Sequence, residues 1–366
     1  MSKKSLLFLN HSLAMGGIET MILDFSRYLI QKGFTPYAAV FESGGSLEAE
    51  LESAGSYTID LGKKSGIDLL LPFKIKKVLN QYSINIIHSH NYSAWFYAIL
   101  TKIIKLGNLR VIHTEHSTVD SLKRRYYLER VLSYFTDKIV AVSDKVRYDL
   151  IEKVGVNPKR IITIANGVDT EKFKNQPKSR QQLRDLYHID DATIVIGIIA
   201  RLEPVKNHLL LINSFIEVLK ECKHIKLFIV GNGSLYQELF DFVKDAGIDD
   251  FVVFTGEKRN IPEYLNLFDI FTLTSIDEGM NLTLLESQSV GLPAVVTDVG
   301  GNREIISHEK NGLLAKSDDK EDFVKNLKKL VLNDELRQIY GECARSNIEA
   351  KFSLNNTIDK YINYYI

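Results

Sequence analysis

The sequence has little cysteine, no long apolar run and no excess of either charge. Cys222 and Cys343 are the two cysteines among 366 residues, and their wide separation excludes a disulfide framework and a structural zinc site. Such a cysteine content is typical of a reducing cytoplasm. Lysine plus arginine and aspartate plus glutamate each total 46, so no overall charge marks a nucleic-acid binder. Any basic site must therefore be local.

The apolar segments are all short. None approaches the roughly 18 residues that a membrane-spanning helix needs. The N-terminal segment MSKKSLLFLNHS has two lysines followed by a run shorter than the apolar region of a signal peptide, and it predicts a first buried strand. The sequence therefore predicts a cytoplasmic protein, soluble or peripheral on the inner face of the plasma membrane.

Apolar segments rich in Ile, Val and Phe alternate with longer amphipathic segments. The predicted strands are SLLFLN, YAAVF, INIIHSH, LRVIHTEH, KIVAVS and RIITIAN, then, after the polar stretch TEKFKNQPKSRQQ, TIVIGIIAR, IKLFIVGNG, FVVFTGE, IFTLTS, LPAVVTD and GLLAK. Strands of this kind separated by helices predict a parallel sheet covered on both faces. The predicted fold class is therefore α/β, with two doubly wound parallel-sheet domains.

The chain length suits two domains of about 150 to 200 residues each. We predict a linker near residues 170–180, a first domain at 1–172 and a second at 173–352. Ligands of open α/β sheets bind beyond the carboxyl ends of the strands, so the loops there hold the candidate residues.

Two such loops of the second domain are suited to a phosphorylated ligand. In RLEPVKN, Arg201 and Lys206 lie between a strand and a helix start, as in a pyrophosphate clamp. A solvated loop with two surface cations is the alternative. In VGNGSL, Gly231 and Gly233 allow close approach of the backbone to a ligand, although such turns are common in this fold class.

The first domain offers a glycine pair before a helix. HSLAMGGIET places Gly16 and Gly17 ahead of Glu19 and Thr20 in a predicted first turn. Backbone N–H groups there are accessible to a phosphate or another acceptor group. A tight turn without a ligand is the alternative.

Histidine pairs follow two predicted strands. His88 and His90 form HSH, and His113 and His116 form HTEH. A metal pair of an amidohydrolase-like barrel is one interpretation, but its further ligands are missing, because the later strand ends supply Arg, Lys, Gly and Thr. Hydrogen bonding to a sugar hydroxyl, or within the loop, requires fewer assumptions.

Two glutamates lie on either side of a predicted helix start. In SIDEGMNLTLLESQS, Asn281 is the predicted N-cap, so Glu278 precedes the helix and Glu286 lies inside it. Two unrelated acids, one of them a solvated loop residue, are the alternative.

Taken in order, these segments resemble the retaining nucleotide-sugar glycosyltransferases of family 4, of the bacterial capsule or exopolysaccharide type. The matching segments are the E-x7-E pair Glu278 and Glu286, RLEPVKN, IANGVD, MGGIE, VSDKV, VGNGSL, and GLPAVVTDVGGNREII with its downstream NGLL. The resemblance covers nearly the whole chain. It implies the GT-B architecture, with two Rossmann-like domains facing a central cleft and a last helix at 353–366 joining the first domain.

The resemblance implies retaining transfer of a hexose from a nucleoside diphosphate sugar, with UDP favoured, and with no cofactor and no catalytic metal. The acceptor implied is a glycan or a polyprenyl-linked sugar of bacterial surface polysaccharide synthesis. Catalytic roles fall on Glu278, Arg201, Lys206 and His116, with His113 as an alternative to His116. Donor contacts fall on Gly16, Gly17, Gly231, Gly233, Arg259, Gly279, Met280, Asn281, Leu282, Thr283 and Glu286. Acceptor contacts fall on His11, His90 and Asn91 in the first domain.

The spacing of the two acids is compatible with such a donor. Glu286 can accept hydrogen bonds from ribose hydroxyls, and Glu278 lies on the hexose side. Between them the helix N-terminal amides of residues 280–283 face the pyrophosphate. Developing charge on the leaving diphosphate would be stabilised by these amides with Arg201 and Lys206.

The chain departs from the family pattern at three places. It has EGMN where EGFG is frequent, and Asn281 tolerates a positive φ, so we expect the same geometry. It has ESQS in place of E-A-x-A, and Ala200 where glycine is usual.

The segment at 122–135, LKRRYYLERVLSYF, combines lysine and arginine with aromatic residues. It predicts a helix that contacts an anionic membrane surface, with Lys63 and Lys64 adding to the basic patch. An ordinary helix with a solvated basic face is the alternative.

Two other functions share the architecture, a sugar-nucleotide epimerase and a non-catalytic nucleotide-binding subunit, but the intact Glu278, Arg201 and Lys206 favour a transferase.

Overall fold

The chain forms two compact units. The computed structural model describes residues 4–14, 16–105, 107–117 and 123–366, without the side chains of residues 123 and 124. The first unit runs to Asn166 and includes Leu354–Ile366, and the second is Gly167–Ser353. The change of unit thus falls before the predicted linker, and residues 167–172 belong to the second unit.

The first unit alternates strands with helices. Its strands are β1 (Lys4–Asn10), β2 (Phe34–Val40), β3 (Tyr57–Asp60), β4 (Ile86–Ser89), β5 (Arg110–Glu115), β6 (Lys138–Ala141) and β7 (Ile161–Thr163). Its helices up to Asn166 are α1 (Gly17–Gln31), α2 (Glu48–Ser53), α3 (Leu71–Gln81), α4 (Tyr92–Lys105), α5 (Lys123–Phe135) and α6 (Asp144–Asp149), which continues as a π-helical turn, Leu150–Val154. The strands pair in parallel in the order β3-β2-β1-β4-β5-β6-β7.

The second unit repeats the same design. Its strands are β8 (Ile194–Ile199), β9 (Ile225–Val230), β10 (Val252–Gly256), β11 (Ile270–Leu273), β12 (Ala294–Thr297) and β13 (Gly312–Ala315). Its helices are α7 (Pro177–Leu186), α8 (His208–Glu221), α9 (Tyr236–Asp245), α10 (Ile261–Leu267), α11 (Leu282–Val290), α12 (Asn302–Ile305), α13 (Lys320–Val331) and α14 (Asp334–Lys351). The strands are parallel in the order β10-β9-β8-β11-β12-β13.

The burial of the strands explains this architecture. The central strand β8 is buried from its second residue onward, because helices cover both faces of the sheet. Apolar side chains of α8 and α13, among them Phe215, Leu211 and Leu327, pack against that sheet. The strand order reverses beside β1 and beside β8, which directs loops toward ligands at those two places. The predicted doubly wound α/β fold is confirmed for both units.

A last helix, α15 (Leu354–Tyr365), belongs to the first unit and packs against α1. Two of its tyrosines are buried: the Tyr361 hydroxyl lies 3.1 Å from Thr114 Oγ1, and the Tyr365 hydroxyl lies 2.7 Å from His88 Nδ1. In the part of the chain that the structure describes, no helix combines the length and apolar character needed to cross a bilayer.

Candidate active site

Lys206 and Glu278 form an ion pair in the second unit. Lys206 ends the short 3-10 turn Pro204–Lys206 that follows β8, and Glu278 lies in the loop between β11 and α11. Lys206 Nζ donates to Glu278 Oε1 at 2.6 Å, and the two side chains are only 15% and 9% exposed. The structure therefore brings together two of the predicted catalytic residues.

Two further donors converge on the same carboxylate oxygen. Ser275 Oγ donates to Glu278 Oε1 at 2.6 Å, and Asn281 Nδ2 donates to it at 3.0 Å. Together with Lys206, they give Oε1 three donors. No hydrogen bond within the described residues uses Oε2, so this oxygen remains available to accept one from a ligand hydroxyl.

Backbone contacts fix the loops that carry this pair. The Ile276 N–H donates to the Val205 carbonyl at 2.8 Å, and Thr274 Oγ1 donates to the Lys206 carbonyl at 2.9 Å. Gly300, after β12, has φ +51° and lies so close to the Glu278 carbonyl that a Cβ atom would overlap it. The position of Glu278 is thus set by the ends of three neighbouring strands.

The start of α11 is capped by Asn281. Its Oδ1 accepts the Leu284 N–H at 2.8 Å, so the predicted N-cap is confirmed. Its φ is −79°, and the expectation that a positive φ matters here is therefore wrong: the amide replaces glycine as a cap. The N–H groups of Leu282 and Thr283 belong to the first helical turn and have no intrahelical partner, which makes them anion-binding groups.

The other predicted donor contacts of this segment surround the helix start. Gly279 and Met280 are buried in the loop, and Glu286 is partly buried in α11, one turn after Leu282. Glu278 therefore precedes the first-turn amides of α11 and Glu286 follows them, in the order that the sequence predicts.

The two predicted arginines remain exposed. Arg201 follows β8, and Arg259 follows β10, two strands away in the sheet. Within the described residues neither arginine forms an ion pair with a carboxylate. Their charges are thus available to an anionic ligand, whereas Lys206 already contacts Glu278.

The glycines of VGNGSL have a packing role. Gly231 has φ +145°, and a Cβ atom there would overlap the Ala200 carbonyl; one on Gly233 would overlap the Leu202 backbone. The loop is further tied to RLEPVKN by Glu203 Oε2, which accepts from Ser234 Oγ at 2.7 Å. Contact between the two loops therefore explains these glycines without a ligand. The sequence analysis did not predict this contact.

In the first unit, Gly16 caps α1 in an extended conformation, and Gly17 is the first helical residue. Beside them a polar network joins Asn10, Glu19 and Asn91. Asn10 Nδ2 donates to Glu19 Oε1 at 2.9 Å, and Asn91 Nδ2 donates to Asn10 Oδ1 at 2.5 Å. The structure thus brings Asn91 close to the glycine turn.

His11 is exposed, and its Nε2 lies 3.7 Å from Glu42 Oε1. Its carbonyl accepts the Phe41 and Glu42 N–H groups, which anchors the loop after β1 to the residues that follow β2. The ring itself remains accessible to a ligand.

The histidines of the first unit form a buried cluster. His88 Nε2 lies 2.7 Å from Thr114 Oγ1, and the His113 ring stacks on Trp95 at a centroid distance of 4.1 Å. His90 Nδ1 lies 3.2 Å from His116 Nε2. Within the described residues no group of three or more His, Cys, Asp or Glu side chains is arranged to hold a metal. The arrangement gives no support to the amidohydrolase alternative.

Burial changes the charge of these rings. It lowers the pKa of His116 to about 4 and the pKa values of His88 and His90 well below the ordinary range. His88, His90 and His116 are therefore neutral near pH 7, and their contacts with one another and with Thr114 join neutral imidazoles and a hydroxyl.

His90 does not offer the free surface expected of an acceptor contact. It is 1% exposed, and its bond to His116 occupies the His116 Nε2 atom. His116 is only partly buried, so its Nδ1 is the ring nitrogen left for a ligand. His90 therefore lies behind His116, and its burial corrects the expectation that it offers an open surface to an acceptor.

Two residues of the site lie in loops that the sequence marks as candidates, but no role was predicted for either. Ser275 donates to Glu278, and Gly300 packs on its backbone. Ser275 follows a strand and Gly300 belongs to a glycine pair, but serine and glycine are common at such positions. The sequence contains no signal that links either of them to Glu278.

Two family models match the chain, one for each unit of the fold. The family model described as "Glycosyltransferase Family 4" matches residues 15–172, and the model described as "Glycosyl transferases group 1" matches residues 179–347. The chain is similar to the UDP-Gal:alpha-D-GlcNAc-diphosphoundecaprenol alpha-1,3-galactosyltransferase of Escherichia coli, with 28% identity over 82% of this chain and 79% of the relative. It is also 28% identical to the N-acetyl-alpha-D-glucosaminyl L-malate synthase of Bacillus anthracis, over 81% and 78% of the two chains.

A solved structure has the same fold. The Anabaena HepE protein, crystallised in complex with UDP and glucose, superimposes with a TM-score of 0.89 at 18% identity and covers 99% of both chains. The two family matches together span both units of the fold, and the architecture is GT-B. The chain therefore belongs to the GT-B glycosyltransferases of family 4.

Proposed function

We propose that this protein is a retaining hexosyltransferase. It moves a hexose from a UDP-sugar to a glycan or polyprenyl-linked acceptor in bacterial surface polysaccharide synthesis. The observation that carries the proposal is the buried Lys206–Glu278 pair beside the first-turn amides of α11. An ammonium group and helix amides suit a diphosphate, and a carboxylate oxygen suits a sugar hydroxyl.

The donor roles follow from these contacts. The Lys206 ammonium has three donors and gives one to Glu278, so two can contact the diphosphate. Arg201 and the N–H groups of Leu282 and Thr283 add positive charge to the same ligand. Glu278 Oε2 accepts from the hexose, and Glu286 accepts from the ribose.

The chemical step needs no metal in this proposal. The acceptor oxygen bonds to the anomeric carbon on the face that the diphosphate leaves, and the bond from that carbon to the diphosphate oxygen breaks. The acceptor proton passes to the departing diphosphate. Charge that develops on the diphosphate is stabilised by Lys206, Arg201 and the helix amides, so the proposal assigns no role to a divalent cation.

The names of the relatives support the choice of substrates. The Escherichia coli relative is named for a UDP-galactose donor and a lipid diphosphate acceptor, and HepE was crystallised with UDP. We assign the acceptor to the first unit, where His11 and Asn91 are candidate contacts and His116 would contact the donor sugar.

The test is release of nucleoside diphosphate from a panel of UDP- and GDP-sugars, with EDTA present. Wild type is compared with Glu278→Gln and Lys206→Ala, and the matched control is Lys220→Ala, which removes a lysine paired with Glu217 at the surface. We expect release from one UDP-sugar, suppressed roughly 10²-fold in Lys206→Ala and unchanged in the control.

Each part of the proposal has a contrary result. Loss of release in EDTA that returns with Mg²⁺ would contradict the metal-free mechanism, and an inverted anomeric configuration in the product would contradict retention. Conversion of one free UDP-sugar into its epimer would identify the epimerase alternative. Binding of UDP without turnover of any donor and acceptor pair would identify the non-catalytic alternative.

A further inference from the structure

The segment that leads into α3 reverses the usual pattern of burial. Asp68 is 5% exposed, whereas its neighbours Ile67 and Leu69 are 73% and 72% exposed. Leu70 and Phe73 are also more than half exposed. We name Ile67, Leu69, Leu70 and Phe73 the apolar wedge. Contiguous exposed apolar side chains on a protein surface mark a site of interaction with a partner or a membrane.

Asp68 holds the wedge in its outward position. Its carboxylate accepts the Lys64 and Leu70 N–H groups, each at 3.0 Å, and its own N–H donates to the Tyr97 hydroxyl of α4 at 2.8 Å. The turn is thus fixed to the adjacent helix through its single acidic residue. The wedge is preorganised, and its exposure is a consequence of the fold.

Basic residues surround the wedge. Residues 61–82 contain five lysines, Lys63, Lys64, Lys74, Lys76 and Lys77, and Asp68 as the one acidic residue. The ammonium groups of Lys63, Lys74 and Lys76 donate to backbone carbonyls. Within the described residues none of the five pairs with a carboxylate. This surface is therefore cationic although the whole chain has no net charge.

Helix α5 also exposes apolar side chains and buries an acidic one. We name its exposed apolar side chains, Tyr127, Leu128, Val131, Tyr134 and Phe135, the α5 stripe; their spacing places them on one helical face. Glu129, between them in sequence, is 1% exposed and accepts from Arg125 Nε at 2.6 Å. The predicted membrane-facing segment thus forms a helix from Lys123 onward; its residue 122 and the side chains of Lys123 and Arg124 lie outside the described residues.

The wedge and the stripe lie on the same side of the first unit. The connections from β3 to β4, from β4 to β5 and from β5 to β6 all progress in one direction across the sheet. Right-handed crossovers therefore place α3, α4 and α5 on one face of the sheet. Helix α4 packs against both α3 and α5, and it exposes Ile103.

We propose that this face, formed by the wedge and the α5 stripe, docks the protein on an anionic lipid bilayer. The wedge enters the acyl-chain boundary, and the unpaired lysines contact lipid phosphates. The composition favours lipid over a protein partner, because lysine is depleted in protein interfaces, whereas apolar side chains beside unpaired lysines match an anionic bilayer surface. The inference rests on the proposed function in one respect: a polyprenyl-linked acceptor would be presented at that bilayer.

The test is sedimentation of the full chain with vesicles of phosphatidylcholine containing about 30 mol% phosphatidylglycerol, and with pure phosphatidylcholine vesicles. The variant Leu69→Ser/Leu70→Ser/Phe73→Ser removes three exposed side chains of the wedge. The matched control, Leu186→Ser/Leu332→Ser, removes exposed leucines from the second unit. We expect binding of wild type and control to the anionic vesicles, weakened by salt, and a loss of roughly tenfold or more in the wedge variant.

A fluorescence measurement reports insertion directly. Trp95 is the single tryptophan and is fully buried, so a Phe73→Trp variant adds one reporter at the wedge. We expect a blue shift of its emission with the anionic vesicles. No shift, no sedimentation of wild type, or equal sedimentation of the wedge variant would overturn the proposal. So would a lipid-free wild-type dimer that the wedge variant dissociates, because the face would then be a self-association surface.

The two proposals fail separately. Lys206→Ala should bind vesicles as the wild type does, since Lys206 lies outside the wedge and the stripe. Vesicle binding without sugar transfer would contradict the proposed function alone. If the protein transfers sugar to a water-soluble acceptor but does not bind anionic vesicles, only the proposal of the docking face is contradicted.

Discussion

Glu278 Oε1 accepts the Lys206 ammonium at 2.6 Å, across a gap of 71 intervening residues that the parallel sheet closes. The two residues follow β8 and β11, which are hydrogen-bonded neighbours in the sheet. A charge pair that is mostly buried is strongly coupled, because removal of one partner leaves the other charge without compensation. The function of either residue should therefore be measured in the presence and absence of the other.

The first prediction concerns this coupling. Lys206→Met should reduce kcat by roughly 10²-fold, because it removes a charge that stabilises the leaving diphosphate and leaves the Glu278 carboxylate without its cation. Lys206→Met/Glu278→Gln should be less impaired than the product of the two single effects. Steady-state kinetics of all three variants measure this, and multiplicative effects would contradict the coupling.

The second prediction separates the two bonds of Asn281. Asn281→Ser keeps a side-chain oxygen that can cap the Leu284 N–H but removes the amide donor to Glu278, so it should retain the wild-type melting temperature and lose activity. Asn281→Ala loses both bonds and should also unfold with about 1 kcal/mol less free energy. Thermal unfolding and turnover, measured on the same samples, check this. Equal stability of the two variants would show that the cap contributes little.

The third prediction concerns Glu286. Glu286→Ala should raise the KM for the donor more than it lowers kcat, because contacts to a ribose change little between ground state and transition state. Glu238→Ala, in the first turn of α9, is the matched control, an acid on another helix of the same unit. A large fall in kcat with an unchanged KM would instead place Glu286 among the catalytic residues.

The fourth prediction is a loss of stability in mild acid. Burial, with Lys206 nearby, lowers the pKa of His208 to about 4, as burial does for His116. The unfolded chain takes up these protons near pH 6.5, before the folded protein does, so stability is full above 6.5 and falls as the pH drops toward 4. Each such histidine contributes a loss of up to about 1.4 kcal/mol per pH unit.

Urea unfolding between about pH 7.5 and pH 5 measures this, since most carboxylates stay ionised there. Both ring nitrogens of His208 lack a hydrogen-bond partner within the described residues, so His208→Leu should unfold with a smaller pH dependence. A free energy of unfolding that is independent of pH in this range would contradict the lowered pKa values of His208 and His116.

Most of the fold could be predicted because its strands are buried on both faces and therefore continuous in apolar character. The missed strand is β3, Tyr57–Asp60, which lies at the sheet edge and is half exposed, so its four residues carry no apolar run. The first unit's first segment ends at Asn166, whereas the prediction ended the first domain at residue 172. The prediction was late because the polar stretch after Asn166 belongs to the second unit. Polarity indicates exposure, but not the unit to which a segment is attached.

The sequence indicated Lys206 and Glu278 as candidate site residues because an ammonium group suits a phosphate and a carboxylate suits a hydroxyl, and the structure brings the two together. The site was not predictable where burial decides. His90 and His116 have similar sequence contexts, yet His90 is buried behind His116. The wedge was missed for the same reason: DLLL is typical of the start of a buried helix, and only its tertiary contacts turn Asp68 inward and Leu69 and Leu70 outward.

The return of α15 to the first unit has a consequence for folding of the chain during its synthesis on the ribosome. Tyr361 and Tyr365 bond Thr114 and His88, next to the rings that hold His116, and they are synthesised after the whole of the second unit. During translation the second unit can therefore fold while the first still lacks one of its helices. The loops of the proposed donor site would thus be complete in the nascent chain before α15 closes over the histidine cluster.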